Sequence, residues 1–267
     1  MSPRFGDLHV NIFADGADLE SIRRLAADER ITGFTTNPTL MRAAGVRDYK
    51  AFALDVLKIV PDRPVSFEVF ADDFATMVLQ AYEIASWGGN VYVKIPVSNT
   101  AGEFAGPIIK SLSEAGIKLN VTAVMTLDQV KQVADALAPL APAVVSVFAG
   151  RIADTGVDPV PHMREALGIL SNRPRAELLW ASPRELLNIF QADEIGCHII
   201  TVTPDLLRKL SLVGKDLRTY SRETVQMFYR DATAAGYSIE IGGAAVALGG
   251  VVGIDRSSGG HLRGRQR

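Results

Sequence analysis

The chain has 267 residues, 48% of them apolar and 22% charged, with a formal net charge of −2. That length can bury a large core in a single barrel-sized domain. Near-neutral charge with 7% aromatics excludes the basic surface and stacking platforms of a nucleic-acid-binding domain, and one cysteine, Cys197, excludes an intramolecular disulfide or a cysteine-based zinc site.

The opening segment, MSPRFGDLHVNIFADG, lacks the apolar run of a signal peptide. No segment approaches the roughly 18–20 uninterrupted apolar residues of a membrane helix. The expectation is a soluble, cytoplasmic protein without a membrane or nucleic-acid partner, in a reducing compartment.

Short runs rich in Val, Ile and Phe alternate with longer amphipathic segments. The first strand is predicted at His9–Ala14, followed by a helix over LESIRRLAAD. The second is Gly33–Thr36 with LMRAAG, the third Val65–Phe70 with FATMVLQAYEIAS, and the fourth Val91–Ile95 with FAGPIIKSLSEAG. Leu119–Ala123 precedes LDQVKQVADAL, and Val144–Phe148 precedes a long segment ending in VPHMREALGIL. Glu177–Ala181 with RELLNIFQADEIG and His198–Val202 with PDLLRKL complete the series.

These units recur about every 20–35 residues, the span of one strand–helix unit. Their alternation implies a parallel sheet with right-handed crossovers. Eight of them fit an α/β fold of the single (β/α)8 TIM-barrel type better than an open, doubly wound sheet. Neither GxGxxG nor GxxxxGK[ST] occurs where the early units would need one for a nucleotide. A further helix is predicted over Ser221–Ala235, as a C-terminal extension of the barrel. The domain organisation expected is a barrel over residues 1–240 and a flexible, glycine- and arginine-rich tail over 241–267.

In such a barrel the chemistry lies at the C-terminal ends of the strands. In Val91-Tyr92-Val93-Lys94-Ile95-Pro96, alternation sets the three aliphatic residues toward the helices and Tyr92 and Lys94 toward the barrel interior. A lysine there loses hydration, which favours the free amine that attacks a carbonyl to make a Schiff base. Asp15, Glu68 and Thr122 fall at the ends of strands one, three and five, where they can supply the proton transfers such chemistry needs. Several of these residues also have a plainer reading. Lys94 could pair with an acid or reach solvent, and Asp15 could cap a helix, although Asp18 is equally placed. Asn37 could be a turn residue before Pro38. Arg151, after strand six, and Arg184, after strand seven, suit a phosphate together with nearby serines, or a surface salt bridge to Asp154 or Glu185.

The segments TTNPTL, VYVKIP, LNVTAV, SVFAGRI and ASPRE, following IFADGAD, resemble the transaldolases in order and approximate spacing from residue 12 to about 207. The resemblance implies a (β/α)8 barrel that moves a three-carbon dihydroxyacetone unit between phosphorylated sugars, with no metal or organic cofactor. It implies Lys94 as the Schiff-base lysine and Asp15 as the acid/base at the cleaved hydroxyl. Glu68 and Thr122 would hold a proton-relaying water, and Asn37 and Ser146 would bind hydroxyls of the dihydroxyacetone unit. Arg151 would grip a phosphate, with Ser182 and Arg184 assisting, and a homo-oligomer is compatible with the resemblance. A related branch, fructose-6-phosphate aldolase, usually carries Gln and Tyr where this chain has Glu68 and Phe148. An aldolase, a transaldolase specialised for a modified sugar, and a sugar-phosphate-binding barrel without turnover are the alternatives.

Overall fold

Eight short apolar runs become eight parallel strands: β1 (Asn11–Asp15), β2 (Ile31–Thr35), β3 (Val65–Glu68), β4 (Val91–Pro96), β5 (Leu119–Val124), β6 (Ala143–Val147), β7 (Ala176–Trp180) and β8 (Ile199–Val202). Each pairs with the next, and β8 returns to β1 to close the barrel. The computed structural model describes residues 8–239. The glycine- and arginine-rich segment expected as a tail lies outside the described residues.

The helices are α1 (Leu19–Ala26), α2 (Pro38–Ala43), α3 (Tyr49–Ile59), α4 (Phe74–Ala85), α5 (Gly106–Glu114) and α6 (Leu127–Ala136). They continue with α7 (Ala149–Asp154), α8 (Pro159–Leu170), α9 (Leu187–Glu194), α10 (Pro204–Arg208) and α11 (Leu217–Ala234). Short polar side chains start many of them. Asp18, Asn37, Asp48, Asp73 and Asp158 each accept a first-turn backbone N–H, and Thr126 forms a reciprocal capping box with Gln129. Asp18 rather than Asp15 caps α1, which leaves Asp15 for other work.

Two helices, α3 and α7, exceed the expected one helix per strand. The first lies between β2 and β3 and buries Phe52, Ala53 and Val56, while α7 is a six-residue helix directly after β6.

Alternation along the strands produces two cores. Val65, Phe67, Val91, Val93 and Ile95 face outward into the layer shared with the helices. Phe13, Val144, Leu179, Ala181 and Ile199 form a second cluster with Tyr92 and Phe148, filling the barrel axis. Tyr92 belongs to the inner set, so Lys94, two residues on, is also on the inner face. The chain divides into two compact units, one through Gly214 with all eight strands, and one from Lys215 carrying α11. No described helix is long and apolar enough to cross a membrane.

Candidate active site

The local fold of Thr35-Thr36-Asn37-Pro38 organises the site. Strand β2 ends at Thr35 and α2 begins at Pro38, where a fixed φ suits a first helical position. Three consecutive residues therefore deliver three polar groups to the strand ends. Thr35 Oγ1 donates to Asp15 Oδ1 at 2.8 Å. The Thr36 carbonyl accepts from Lys94 Nζ at 3.0 Å. Asn37 caps α2 through Leu40 N at 3.0 Å, while its amide nitrogen points at Asp15 Oδ2 from 3.5 Å.

Lys94 is only 6% exposed, and its Nζ lies 3.4 Å from Glu68 Oε2. The pairing register explains this: Glu68 on β3 is the direct neighbour of Lys94 on β4. Asp15 lies at the end of β1, half-buried. Burial raises its carboxyl pKa above the ordinary value, more than the Lys94 charge and the Thr35 and Asn37 hydrogen bonds lower it.

Thr122 is 2% exposed, and its hydroxyl has no hydrogen-bond partner among the described residues. It pairs in register with Pro96, and it shares a strand face with Asn120, two residues earlier on β5. A buried hydroxyl without a protein partner is uncommon, and it leaves Thr122 Oγ1 open to a water or a ligand. The next residue, Ala123, has a φ of 61°, as does Ser182 just beyond β7. Ala123 falls at the register irregularity near the end of β5 and Ser182 just after β7, and neither is the glycine that such a conformation favours.

Ser146 lies inside the barrel, where it donates to Asn120 Oδ1 at 2.7 Å. Asn120 in turn donates to Ser66 Oγ at 3.0 Å, so one buried amide bridges β3, β5 and β6. Asn120 is also the register partner of Lys94. The sequence reading passed over Asn120 and Thr201, whose hydroxyl meets that of Thr35 at 2.5 Å. Because Thr35 gives its proton to Asp15, Thr201 is the donor to Thr35. The available signal for both was strand alternation, which sets Asn120 on the face of Thr122.

The two arginines differ. Arg184 is gripped by Asp154, with Nε 2.9 Å from Oδ1 and Nη2 on Oδ2. Arg151 is exposed and stacks its guanidinium over Phe148, 5.2 Å from the ring centroid. Among the described residues no carboxylate lies within ion-pair distance of Arg151. Ser182, half-buried, precedes Arg184 by two residues.

Together these residues offer a buried primary amine, two carboxylates in different environments, an unpartnered hydroxyl and an exposed guanidinium. Among the described residues no cluster of His, Cys, Asp or Glu could hold a metal ion.

The chain matches the transaldolase/fructose-6-phosphate aldolase family over residues 12–240. A Dehalococcoides mccartyi protein named "Probable transaldolase" is 35% identical over 202 residues, spanning 75% of this chain and 90% of that one. One of the same name from Streptococcus agalactiae is 34% identical over 218 residues, spanning 80% and 97%. Two solved structures share the fold at low identity. Dihydrodipicolinate synthase from Rhodopseudomonas palustris has a TM-score of 0.50 at 18% identity, covering 84% of this chain and 79% of that one. For 2,3-dimethylmalate lyase the TM-score is 0.52 at 14% identity, with 94% and 93% covered. With the match running through every strand that carries Asp15, Glu68, Lys94 and Thr122, this chain belongs to the transaldolase/fructose-6-phosphate aldolase family.

Proposed function

We propose that the protein is a transaldolase carrying a dihydroxyacetone unit from a ketose phosphate to an aldose phosphate through an imine at Lys94. Sedoheptulose 7-phosphate or fructose 6-phosphate is the donor, in cytoplasmic sugar-phosphate metabolism of the pentose phosphate type. The observation that carries this reading is the buried Lys94 amine, 3.4 Å from the Glu68 carboxylate at the chemical end of a closed barrel.

The free amine of Lys94 attacks the C2 carbonyl of the ketose to give a carbinolamine. The Glu68 carboxylate takes a proton from the Lys94 nitrogen and passes it to the departing oxygen, so that water leaves as the imine forms. The Thr122 hydroxyl supplies the second hydrogen-bonding group for the water involved. Asp15 then takes the C4 hydroxyl proton as the C3–C4 bond breaks, releasing the aldose phosphate and leaving an enamine on Lys94. The enamine attacks the acceptor aldehyde while Asp15 returns its proton, and hydrolysis of the new imine frees Lys94. A group that must both take and return a proton works best with its pKa moved toward the working pH, the direction in which burial moves Asp15. Asn37 and Ser146 hold hydroxyls of the three-carbon unit. Arg151 binds the phosphate, and Arg184 shares its guanidinium between Asp154 and that group, with Ser182 beside it. Every proton and electron pair comes from substrate, side chain or water, so the proposed cycle needs no cofactor.

Borohydride reduction in the presence of fructose 6-phosphate tests this directly. Mass spectrometry is expected to find a reduced dihydroxyacetone adduct on Lys94. Folded protein with no adduct would sink the proposal. Omitting the acceptor aldehyde separates the aldolase alternative: rapid, multiple-turnover release of free dihydroxyacetone would mark an aldolase.

A further inference from the structure

The edge of β3 that faces β2 runs out of ladder partners at Glu68. Phe34 N donates to the Pro64 carbonyl at 2.8 Å and Thr36 N to the Ser66 carbonyl at 3.3 Å. One more step of the same ladder would set the N–H of residue 38 against the Glu68 carbonyl, and the Glu68 N–H against the Thr36 carbonyl. The first bond cannot form, because residue 38 is proline and has no N–H. The second would compete with Lys94 Nζ, which already donates to that carbonyl at 3.0 Å.

One side chain from outside the barrel meets both demands. Tyr49, the first residue of α3, accepts from Glu68 N at 2.7 Å and donates to the Glu68 carbonyl at 3.0 Å. Its ring is wedged among Phe67, Phe70 and Trp87, with centroids 6.2, 4.6 and 5.4 Å away. Burial pushes the phenol above its ordinary pKa, so it keeps the proton it donates.

We infer that Tyr49 is a positioning residue for the lysine site. Its hydroxyl stands in for the missing β2 partner of Glu68, which fixes the backbone that carries the carboxylate. It also leaves the Thr36 carbonyl to Lys94. The inference rests on the proposed imine chemistry and deepens it by a residue that acts only through the Glu68 main chain. Without the hydroxyl, the Glu68 N–H turns to the Thr36 carbonyl in competition with Lys94, and both the amine and its nearest acid lose their alignment.

Amide hydrogen exchange and imine trapping test this separately. In the intact protein the Glu68 N–H is expected to exchange as slowly as a bonded ladder amide. Exchange at the rate of an exposed amide would overturn the inference, and this reading needs no variant. Tyr49→Phe keeps the ring and removes only the hydroxyl. It is expected to speed Glu68 exchange by about tenfold or more, the loss of roughly one hydrogen bond. The same variant should slow formation of the borohydride-trapped Lys94 adduct by about tenfold, with less than about a twofold change in KM for fructose 6-phosphate. In a Glu68→Gln background, Tyr49→Phe should add less than its full loss, because only the part carried by the Thr36–Lys94 contact remains. A full additive loss there, or an unchanged trapping rate in the single variant, would overturn the inference. If the unaltered protein forms no adduct at all, the imine proposal falls, and the exchange result alone decides whether Tyr49 holds Glu68.

Discussion

Asp15, the proposed acid/base, sits in its site at a cost to stability. Its carboxyl pKa is raised, with burial as the largest cause. Between the unfolded value and that raised value the native state holds a proton that the unfolded chain has released. Stability therefore increases as pH falls through that window and is lowest above it. Asp15→Asn removes the burdened charge while keeping an acceptor for Thr35. The expected outcome is a Tm higher by about 2–4 °C at pH 8, the effect of about 1 kcal/mol in a domain of this size, with the gain vanishing below about pH 4. Transfer activity should fall by about 100-fold or more, because no other group replaces the acid/base. A melting series across pH with parallel assays checks both halves; an unchanged Tm or retained activity would contradict this account. At this scale much of the site was legible from strand alternation. An inward Lys94 with Asp15, Glu68 and Thr122 toward the C-terminal ends of β1, β3 and β5 needs only a period of two and a barrel. The Asn37 side chain was less legible, since the plain reading as a residue that starts α2 holds while its amide nitrogen also faces Asp15.

At the scale of elements, the legible features were the eight strands, whose bounds lie within about two residues of the expected ones, as hydrogen-bond criteria commonly allow. What escaped was the doubling of helices after β2 and β6. DYKAFALDVLKIV carries a capping Asp48 and a buried Phe52-Ala53-Val56 set, but a single turn separates it from α2, so one helix per strand absorbed it. Six-residue α7 has no side-chain cap at all. Yet α7 places Arg151, and its partner in doing so is invisible to periodicity. Gly150 sits against the loop after β7, and a Cβ added there would fall 1.5 Å from the Ser182 carbonyl oxygen. The arginines proposed to bind the phosphate, Arg151 on α7 and Arg184 after β7, thus depend on one close backbone approach. Gly150→Ala must push the two apart, at a cost of about 1–3 kcal/mol in stability. Displacement on the order of 1 Å should raise KM for phosphorylated substrates roughly tenfold or more. An unphosphorylated acceptor, compared in steady-state assays, should be much less affected. Equal penalties for both acceptors would show that this contact does not govern phosphate binding.

The barrel as a whole separates chemistry from cohesion. Every candidate catalytic group lies in the C-terminal half of a strand, whereas the opposite end is stitched by side chains that bind backbone. Arg63 donates to the carbonyls of Ile31 at 2.7 Å and Ala26 at 2.5 Å, and Asn90 to those of Val60 and Arg63 at 2.8 and 2.7 Å. His198 Nδ1 accepts from Leu178 N at 3.0 Å. The most consequential stitch joins the two ends of the barrel sequence. Asp193 Oδ1, on α9, accepts from His9 N at 2.6 Å and Val10 N at 2.9 Å, just before β1 enters its pairing with β8. None of this is readable from local pattern, because the partners lie 183 and 184 residues apart. Val10 is buried, so losing the acceptor would leave its N–H unpaired away from water. Asp193→Ala should therefore cost about 1–3 kcal/mol, seen as a lower urea midpoint with little change in slope. Adduct formation at Lys94 should stay within about twofold in the folded variant, since the altered end of the barrel takes no part in the chemistry. A large loss of trapping in fully folded Asp193→Ala would mean that closure at one end of the barrel is transmitted to the amine at the other.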